Sequence, residues 1–566
     1  MAILVAGTTR GPQMTPDELA VLVDAGPGAA RVIEPRVSGG FSWAPFVHRS
    51  GSGLGATSPT LMRAALDVIH AAGNVPSRDA RLAASAAHLL IGNAEAAVVS
   101  LTPIAEDHRD PATWNNLAAA HYVLAAETDS IEHLEAALVA ADQALRFDDR
   151  NSEALFNRAL ILERYHLRDA AISAWRDYLA ADASAWAAEA RSRLDALSGP
   201  RPTFSTEIER SYARLEQGYR RIADDLVRLD AGEARSFGEM DVLGRWGDAC
   251  LRGDTASAAR HLIAAHTLGD ALRALRGEVM LADSVATIES ASPSDFERLA
   301  RGHVAYREGR RVYRQLRKPT ESEKILSAAT LDFDAAGSPM VWSARVYTGI
   351  AIFGQGRADE AKTLFTRLNS SIPRSYGALR AYARWQTATC FMSRSEWGEV
   401  VALLSGCIDD FDRLGEADNV AYLHDILGQV YAIIGDRDRA AHHRLLALGV
   451  LGQSTNYRLE HAVSGMVYDA MQSKKWRSAM SFLKVEAEIA RRVKDPELQG
   501  FALLRRALLH SRLGDGEEAA ADVVEANAVV ASIQDPALRN KLEAERMATA
   551  ALVATGPRHA ISLLTA

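Results

Sequence analysis

Cysteine and histidine are the residues best suited to nucleophilic or metal chemistry in this chain. The cysteines are Cys250, Cys390 and Cys407, and none lies in a Cys-x-x-Cys pair or beside a histidine. Neither a zinc site nor a disulfide framework is expected, and three scattered thiols suit a reducing compartment. His442 and His443 are adjacent, so on a helix their rings face different ways, whereas helical metal pairs stand three or four residues apart. The glycine run at 51–55, GSGLG, has no Gly-Lys-Ser/Thr after it and no clear strand before it, and reads as a loop rather than a phosphate cradle. No two carboxylates are placed by sequence as an acid and base pair. The expectation is a chain with no metal, no cofactor and no catalytic residue.

Residues that could bind are easier to find. Asn116 and Asn157 stand two residues after Trp114 and Leu155, at equivalent places in two similar stretches. An asparagine can donate to and accept from an extended backbone, which grips a peptide with little demand on its sequence. The alternative is an ordinary polar residue facing solvent. Tyr122, Phe156 and Leu160 lie nearby and could line apolar pockets, with core packing as the other use for at least one of them. A second candidate is the basic stretch from Arg301 to Lys318. Arg307, Arg310, Arg311 and Arg314 could hold phosphates or an acidic partner. Their helical spacing, and the acids Glu308, Glu321 and Glu323, fit a solvated face or internal ion pairs better.

The elements that must carry these residues are helices in repeats. Between Ala137 and Asp182 the chain repeats itself at 34 residues: Ala137 with Ala171, Ala141 with Trp175, Ala144 with Tyr178, Asp148 with Asp182. Trp114-Asn-Asn-Leu117-Ala118 opens one unit and Leu155-Phe-Asn-Arg158-Ala159 opens the next, 41 residues on. The surplus of seven predicts an insertion around residues 125–131. A second register follows, in which a turn residue precedes a small apolar residue by five. It runs Gly356/Ala361, Ser395/Val400, Gly435/Ala440, Lys474/Ala479 and Gly514/Ala519, in steps of 39, 40, 39 and 40, with earlier copies at Gly92/Ala97 and Gly253/Ala258. Glycine at such a turn suits a left-handed helix C-cap, and the following Asp or Asn suits an N-cap. Each repeat is two antiparallel helices that cannot bury their apolar faces alone and must stack. The pattern resembles the tetratricopeptide repeat, most closely in Leu427-Gly428-x-x-Tyr431-x-x-x-Gly435-Asp436. The fold class expected is therefore all-α, an α-solenoid of tetratricopeptide-like hairpins.

Composition agrees. The 566 residues are 48% hydrophobic and 24% charged, with a formal net charge of −8, which argues against a nucleic-acid partner. No stretch has the ~18 consecutive apolar residues of a membrane span, and the chain reads as cytoplasmic with no membrane partner. Residues 1–75 read as an irregular N-terminal cap on the first hairpin, with one helix near Leu61–Ala72. Repeats of the 34-residue type are expected over 76–198 and a proline-rich joint at 197–204. Degenerate helical repeats should follow over 199–330, and repeats of about 40 residues over 331–566. The apolar end, HAISLLTA, predicts an array cut short or covered by a partner.

Four segments together resemble a bacterial family in which tetratricopeptide repeats precede a CHAT domain, a caspase-like cysteine peptidase. They are IEPRVSGGFSWAPF (33–46), the stretch 156–194 with its Trp175 and WAAEAR run, RWGDACLRGDTASA (245–258) and RGHVAYREGRRVY (301–313). The family's peptidase lies C-terminal to its repeats, and no His/Cys motif of that kind stands here. The resemblance therefore implies a recognition or regulatory region without its peptidase. The expected partner is a protein or peptide segment in the concave groove, with a CHAT peptidase in cis as one form of it. The sensor arm of a bacterial transcriptional or signalling regulator is the alternative.

Overall fold

In a computed structural model the described residues are 17–26, 30–47, 58–73, 77–106, 109–199, 202–452 and 457–564. The run GSGLG, Pro200 and the last two residues lie outside them. The chain is an all-α solenoid of stacked hairpins. Its first helices are α1 (Asp17–Ala25), α2 (Pro59–Gly73), α3 (Arg78–Leu90), α4 (Ala94–Ala105), α5 (Pro111–Thr128), α6 (Ile131–Phe147), α7 (Ser152–Arg164), α8 (Arg168–Ala181) and α9 (Trp186–Ser198). Next come α10 (Phe204–Leu215), α11 (Arg220–Leu229), α12 (Ala231–Ser236), a π-helical stretch at Phe237–Val242, α13 (Leu243–Leu251), α14 (Thr255–Arg276) and α15 (Met280–Glu289). The hairpins continue as α16 (Pro293–Arg314), α17 (Pro319–Ala335), α18 (Met340–Phe353), α19 (Ala358–Ser371), α20 (Gly377–Met392), α21 (Trp397–Leu414), α22 (Ala417–Ile434) and α23 (Arg437–Leu451). The last are α24 (Tyr457–Gln472), α25 (Trp476–Val493), α26 (Pro496–Leu513), α27 (Gly516–Ser532) and α28 (Pro536–Leu564).

Local sequence explains where these helices start and stop. Five successive helices, α3 to α7, begin at Ser77, Asn93, Asp110, Ser130 and Asn151, each of whose side chains accepts a backbone N–H of the first turn. The predicted turn residues Gly92, Gly253, Gly356, Ser395, Gly435, Lys474 and Gly514 all take φ between 57 and 88°. That left-handed region ends a helix cleanly and leaves the next residue free to cap its partner. The small residues five positions on, from Ala97 to Ala519, are all buried, as close helix contact requires. Two details differ from expectation. The seven surplus residues form no loop; α5 runs 18 residues against 13 in α7, and α6 17 against 14 in α8. Asp515 caps nothing, because its carboxylate binds Arg146 at 2.6 Å.

The contacts divide into two compact units. One comprises residues 1–199 together with 451–566, the other 200–450. The 331–566 stretch, read above as one array, is thus shared between them. In the first unit, α25 packs on α6 and α8. Lys475 pairs with Glu135 at 3.2 Å, Lys484 with Asp142 at 3.5 Å and Arg492 with Asp169 at 3.1 Å, while Tyr165 meets Phe482 edge-on at 5.9 Å. In the second unit, one hydrophobic core runs from Ile208 to Cys390, and α12 with the π stretch packs against α14, α16 and α22. Helix α13 crosses α16 at Gly247, where a Cβ would stand 2.5 Å from the Ala300 carbonyl oxygen.

The Gly247 contact sets a prediction. Gly247→Ala forces a backbone shift and should destabilise the second unit by about 1–3 kcal/mol. Gly398→Ala, at an open position on α21, should not. Thermal melts of the two variants decide the matter, and an unshifted Gly247→Ala would mean that the helices are not this close.

Candidate binding groove

Segment 31–47 is not helical, and its residues explain why. Pro35 cannot follow a helical residue comfortably, and Gly39 and Gly40 both take positive φ, 136 and 79°. The chain instead closes a loop. The Arg31 N–H donates to the Pro45 carbonyl at 3.0 Å and the Val47 N–H to the Arg31 carbonyl at 3.3 Å. Such a segment cannot satisfy its own main chain, so a partner must, or its burial would be costly.

The partners are asparagines from α5 and α7. The Arg36 N–H donates to Asn157 Oδ1 at 2.7 Å, and Asn157 Nδ2 donates back to the Arg36 carbonyl at 2.8 Å. The Ser38 N–H donates to Asn116 Oδ1 at 2.8 Å. Asn115 Nδ2 donates to the Arg36 carbonyl at 3.2 Å and to Ser38 Oγ at 2.9 Å, and its own oxygen accepts from Asn157 at 2.8 Å. All three asparagines are fully buried. The groove is therefore occupied by the chain itself. The N-terminal segment shares one core with α2 and α3 through Leu22, Ile33 and Val37, and its main chain reaches on to α5 and α7. Only there do side-chain amides meet its backbone.

Side chains complete the fit. Arg36 Nη1 donates to Asp182 at 2.6 Å and to the Tyr178 hydroxyl at 2.9 Å. Arg31 Nη2 donates to Glu189 at 2.7 Å. The two guanidiniums lie 4.8 and 4.7 Å from the Trp186 ring centre. Glu34 accepts from the Tyr122 hydroxyl at 2.5 Å and pairs with Arg193. Burial pushes Asp182 upward, yet hydrogen bonds from Ser184, Arg36 and Tyr178 outweigh it and hold the carboxyl down to about 2. Burial likewise pushes Glu189 upward, and the bond and charge of Arg31 outweigh it, so its carboxyl is held below the ordinary value. Tyr122 is pushed well above the ordinary phenol range by burial and by the Glu34 charge.

Of the residues read from sequence, Asn116, Asn157 and Tyr122 touch the segment. Phe156 lies beneath the Arg36 pocket, edge-on to Trp175, Tyr178 and Trp186 at 5.0, 5.3 and 5.3 Å. Leu160 is buried in the same helix. Asn115, Asp182 and Glu189 are not singled out as binding residues by the sequence, although Asp182 is part of the 34-residue repeat; Arg36, Asp182, Trp186 and Glu189 fall inside segments quoted for the family resemblance. The four arginines of the second unit do not share one surface. Arg307 pairs with Asp248, Arg311 with Glu308 at 2.7 Å, Arg310 is buried with its guanidinium 4.1 Å from the Tyr347 ring centre, and Arg314 is exposed.

The second unit also buries charge. Arg235 forks onto Glu416 through bonds of 2.8 and 3.1 Å, and Glu239 lies 3.6 Å from the same guanidinium. Burial, with Glu278 and Glu416 nearby, pushes Glu239 up to about 7 despite Arg235. His443 Nδ1 stands 2.8 Å from His424 Nδ1, and burial with that neighbour pushes it down to about 4. Burial pushes the thiols of Cys250 and Cys390 up to about 11 and of Cys407 up to about 12, so none is a thiolate at neutral pH. Among the described residues no group of three His, Cys, Asp or Glu could hold a metal, and no helix is long and apolar enough to cross a membrane.

No protein-family model matches the chain, and no curated protein matches it in sequence. Among solved structures it is similar to a chain of the APC/C hetero-tetramer Cut9–Hcn1, at 14% identity and a TM-score of 0.34, over 86% of this chain and 92% of that one. It is also similar to yeast Tom70, at 14% identity and a TM-score of 0.33, over 86% and 96%. Likenesses at this level identify neither a family nor a partner.

Two outcomes follow. Asn157→Ala strands the buried N–H of Arg36 and leaves its carbonyl to Asn115 alone, and should cost about 1–3 kcal/mol and speed deuterium exchange at residues 36–38. Arg314→Ala should move stability by less than about 0.5 kcal/mol. Glu239 adds a pH signature. Its folded value of about 7 lies above the usual glutamate value, so the folded state binds the extra proton and loses stability as pH rises through that window. Glu239→Gln should therefore melt higher than wild type at pH 8, with the gap closing by pH 5; a constant gap would contradict the burial of its charge.

Proposed function

We propose that the chain is a protein-recognition scaffold with no catalytic centre of its own, and that its first unit grips polypeptide main chain. The observation that carries this is the asparagine set. Three buried amides meet the N–H and carbonyl of Arg36 and the N–H of Ser38. A site built on main-chain bonds reads shape and extension first, and side chains only afterwards.

The finer reading is the regulatory or substrate-binding region of a CHAT-type peptidase system. Its support is the resemblance of four segments, two of which, 33–46 and 156–194, meet in the groove. In such a system the groove presents or withholds a protein segment, and the chemistry belongs to the peptidase.

The test is a displayed library of random peptides selected on the full chain. Enriched peptides should bind Asn115→Ala/Asn157→Ala at least about tenfold more weakly, a loss of about 1.4 kcal/mol. Enrichment of peptides indifferent to both asparagines would place recognition elsewhere and defeat the reading.

A further inference from the structure

The internal segment shows what side chains the groove selects. Arg36 is met by Asp182 and Tyr178, with Glu153 at 3.9 Å; Arg31 is met by Glu189 at 2.7 Å. Both guanidiniums lie within 4.8 Å of the centre of one indole ring, Trp186. A planar cation that bonds a carboxylate at its edge while its face stacks on an aromatic ring is arginine's chemistry, not lysine's. Two residues past Arg36, Asn116 and Asn115 take the N–H and hydroxyl of Ser38. Arg31 also holds its own loop, through the carbonyls of Ile33, Glu34 and Ala44, so the walls read Arg36, the outer edge of an arginine five residues before it, and a small hydroxyl residue two beyond it.

The groove also holds capacity that this occupant leaves unused. Asn116 is fully buried, and its Nδ2 finds no acceptor among the described residues. Glu153 stands too far from Arg36 for a hydrogen bond. An occupant with one better-placed carbonyl gains a bond that residues 31–46 do not make.

We propose that this groove takes a segment of a partner protein bearing Arg-x-x-x-x-Arg-x-Ser in a closed loop like that of residues 31–47, and that residues 31–46 hold the place until such a segment displaces them. The proposal rests on the reading of the groove as a main-chain grip. Because the internal segment is tethered, it competes at an effective concentration on the order of 1 mM, so a free segment binds weakly to the intact chain. Weakening the internal arginines, with the walls left whole, releases the site.

The experiment titrates two labelled peptides into the full chain by fluorescence anisotropy. One has the sequence of residues 30–47; the other carries alanine at both arginine positions. Each is tested against wild type and against Arg31→Ala/Arg36→Ala. The arginine peptide should bind the double variant at least about tenfold more tightly than it binds wild type, and at least about tenfold more tightly than the alanine peptide does. Equal binding of the two peptides to the variant overturns the arginine specificity and leaves the main-chain grip standing. Binding of neither overturns both. Should circular dichroism show the double variant unfolded, Arg36→Lys takes its place, since it keeps the charge and loses the planar face stacked on Trp186. Deuterium exchange gives the second readout. Bound peptide should accelerate exchange at the Arg36 and Ser38 amides of the chain itself, and unchanged exchange under bound peptide overturns displacement.

Discussion

A buried main chain must find hydrogen-bond partners, and in the first unit that demand organises everything else. Helices meet it internally. Residues 36–38 cannot, because proline and two glycines keep them out of a helix and no strand lies alongside. Three amide side chains on α5 and α7 supply what a neighbouring strand would supply elsewhere. An unmade bond here costs about 1–3 kcal/mol against a net gain of about 1 for a made one, so the asparagines matter mainly through what their loss would leave exposed to a dry interior. Each amide carries an acceptor oxygen beside a donor amino group, which lets Asn157 serve both ends of one residue.

Charge is handled by the same logic. Arg31 and Arg36 are almost fully buried, and an arginine in such a place must be paired, because removing a cation from water without a partner is far costlier than any packing gain. Asp182 and Glu189 provide the pairs, and Trp186 provides a face whose quadrupole tolerates both cations. The depressed acid at Asp182 is the measurable trace of this arrangement. In the second unit the balance falls the other way. Glu239, Glu278 and Glu416 crowd one buried guanidinium, Arg235, and the excess of acid over base keeps Glu239 near neutrality.

Much of the fold was legible in the sequence because repeat packing is local. A left-handed turn followed by a small residue is a two-letter code, and the seven copies from Gly92 to Gly514 adopt the expected φ; the next turn expected, at Gly556, falls inside α28 instead. What spacing could not show was tertiary choice. Nothing in α25 announces that its Lys475, Lys484 and Arg492 pair with acids of α6 and α8, more than three hundred residues earlier. The candidate site was half legible for the same reason. Asn116 and Asn157 share a register and could be found together, whereas Asp182 and Glu189 acquire their roles only from two arginines in a segment without periodicity. The basic stretch misleads in the opposite sense: helical spacing groups Arg307, Arg310 and Arg311 in sequence, yet α13, Tyr347 and Glu308 divide them in space.

The inner wall of a helical solenoid is usually regarded as open space awaiting a ligand. Here the first unit fills part of that wall with its own residues 31–47. The second unit lays α12 and its π stretch against α16 and α22, each the first helix of its hairpin. The π stretch is six residues long and carries the buried Glu239. A π turn is an uncommon and imperfect conformation that tends to persist where packing holds it. Both segments are held by polar bonds, main chain to amide in one unit and arginine to carboxylate in the other. Recognition by such a wall is an exchange of partners rather than the filling of a void. Its affinity is then set by the difference between two occupants, and small changes in the resident segment shift it as effectively as changes in the visitor.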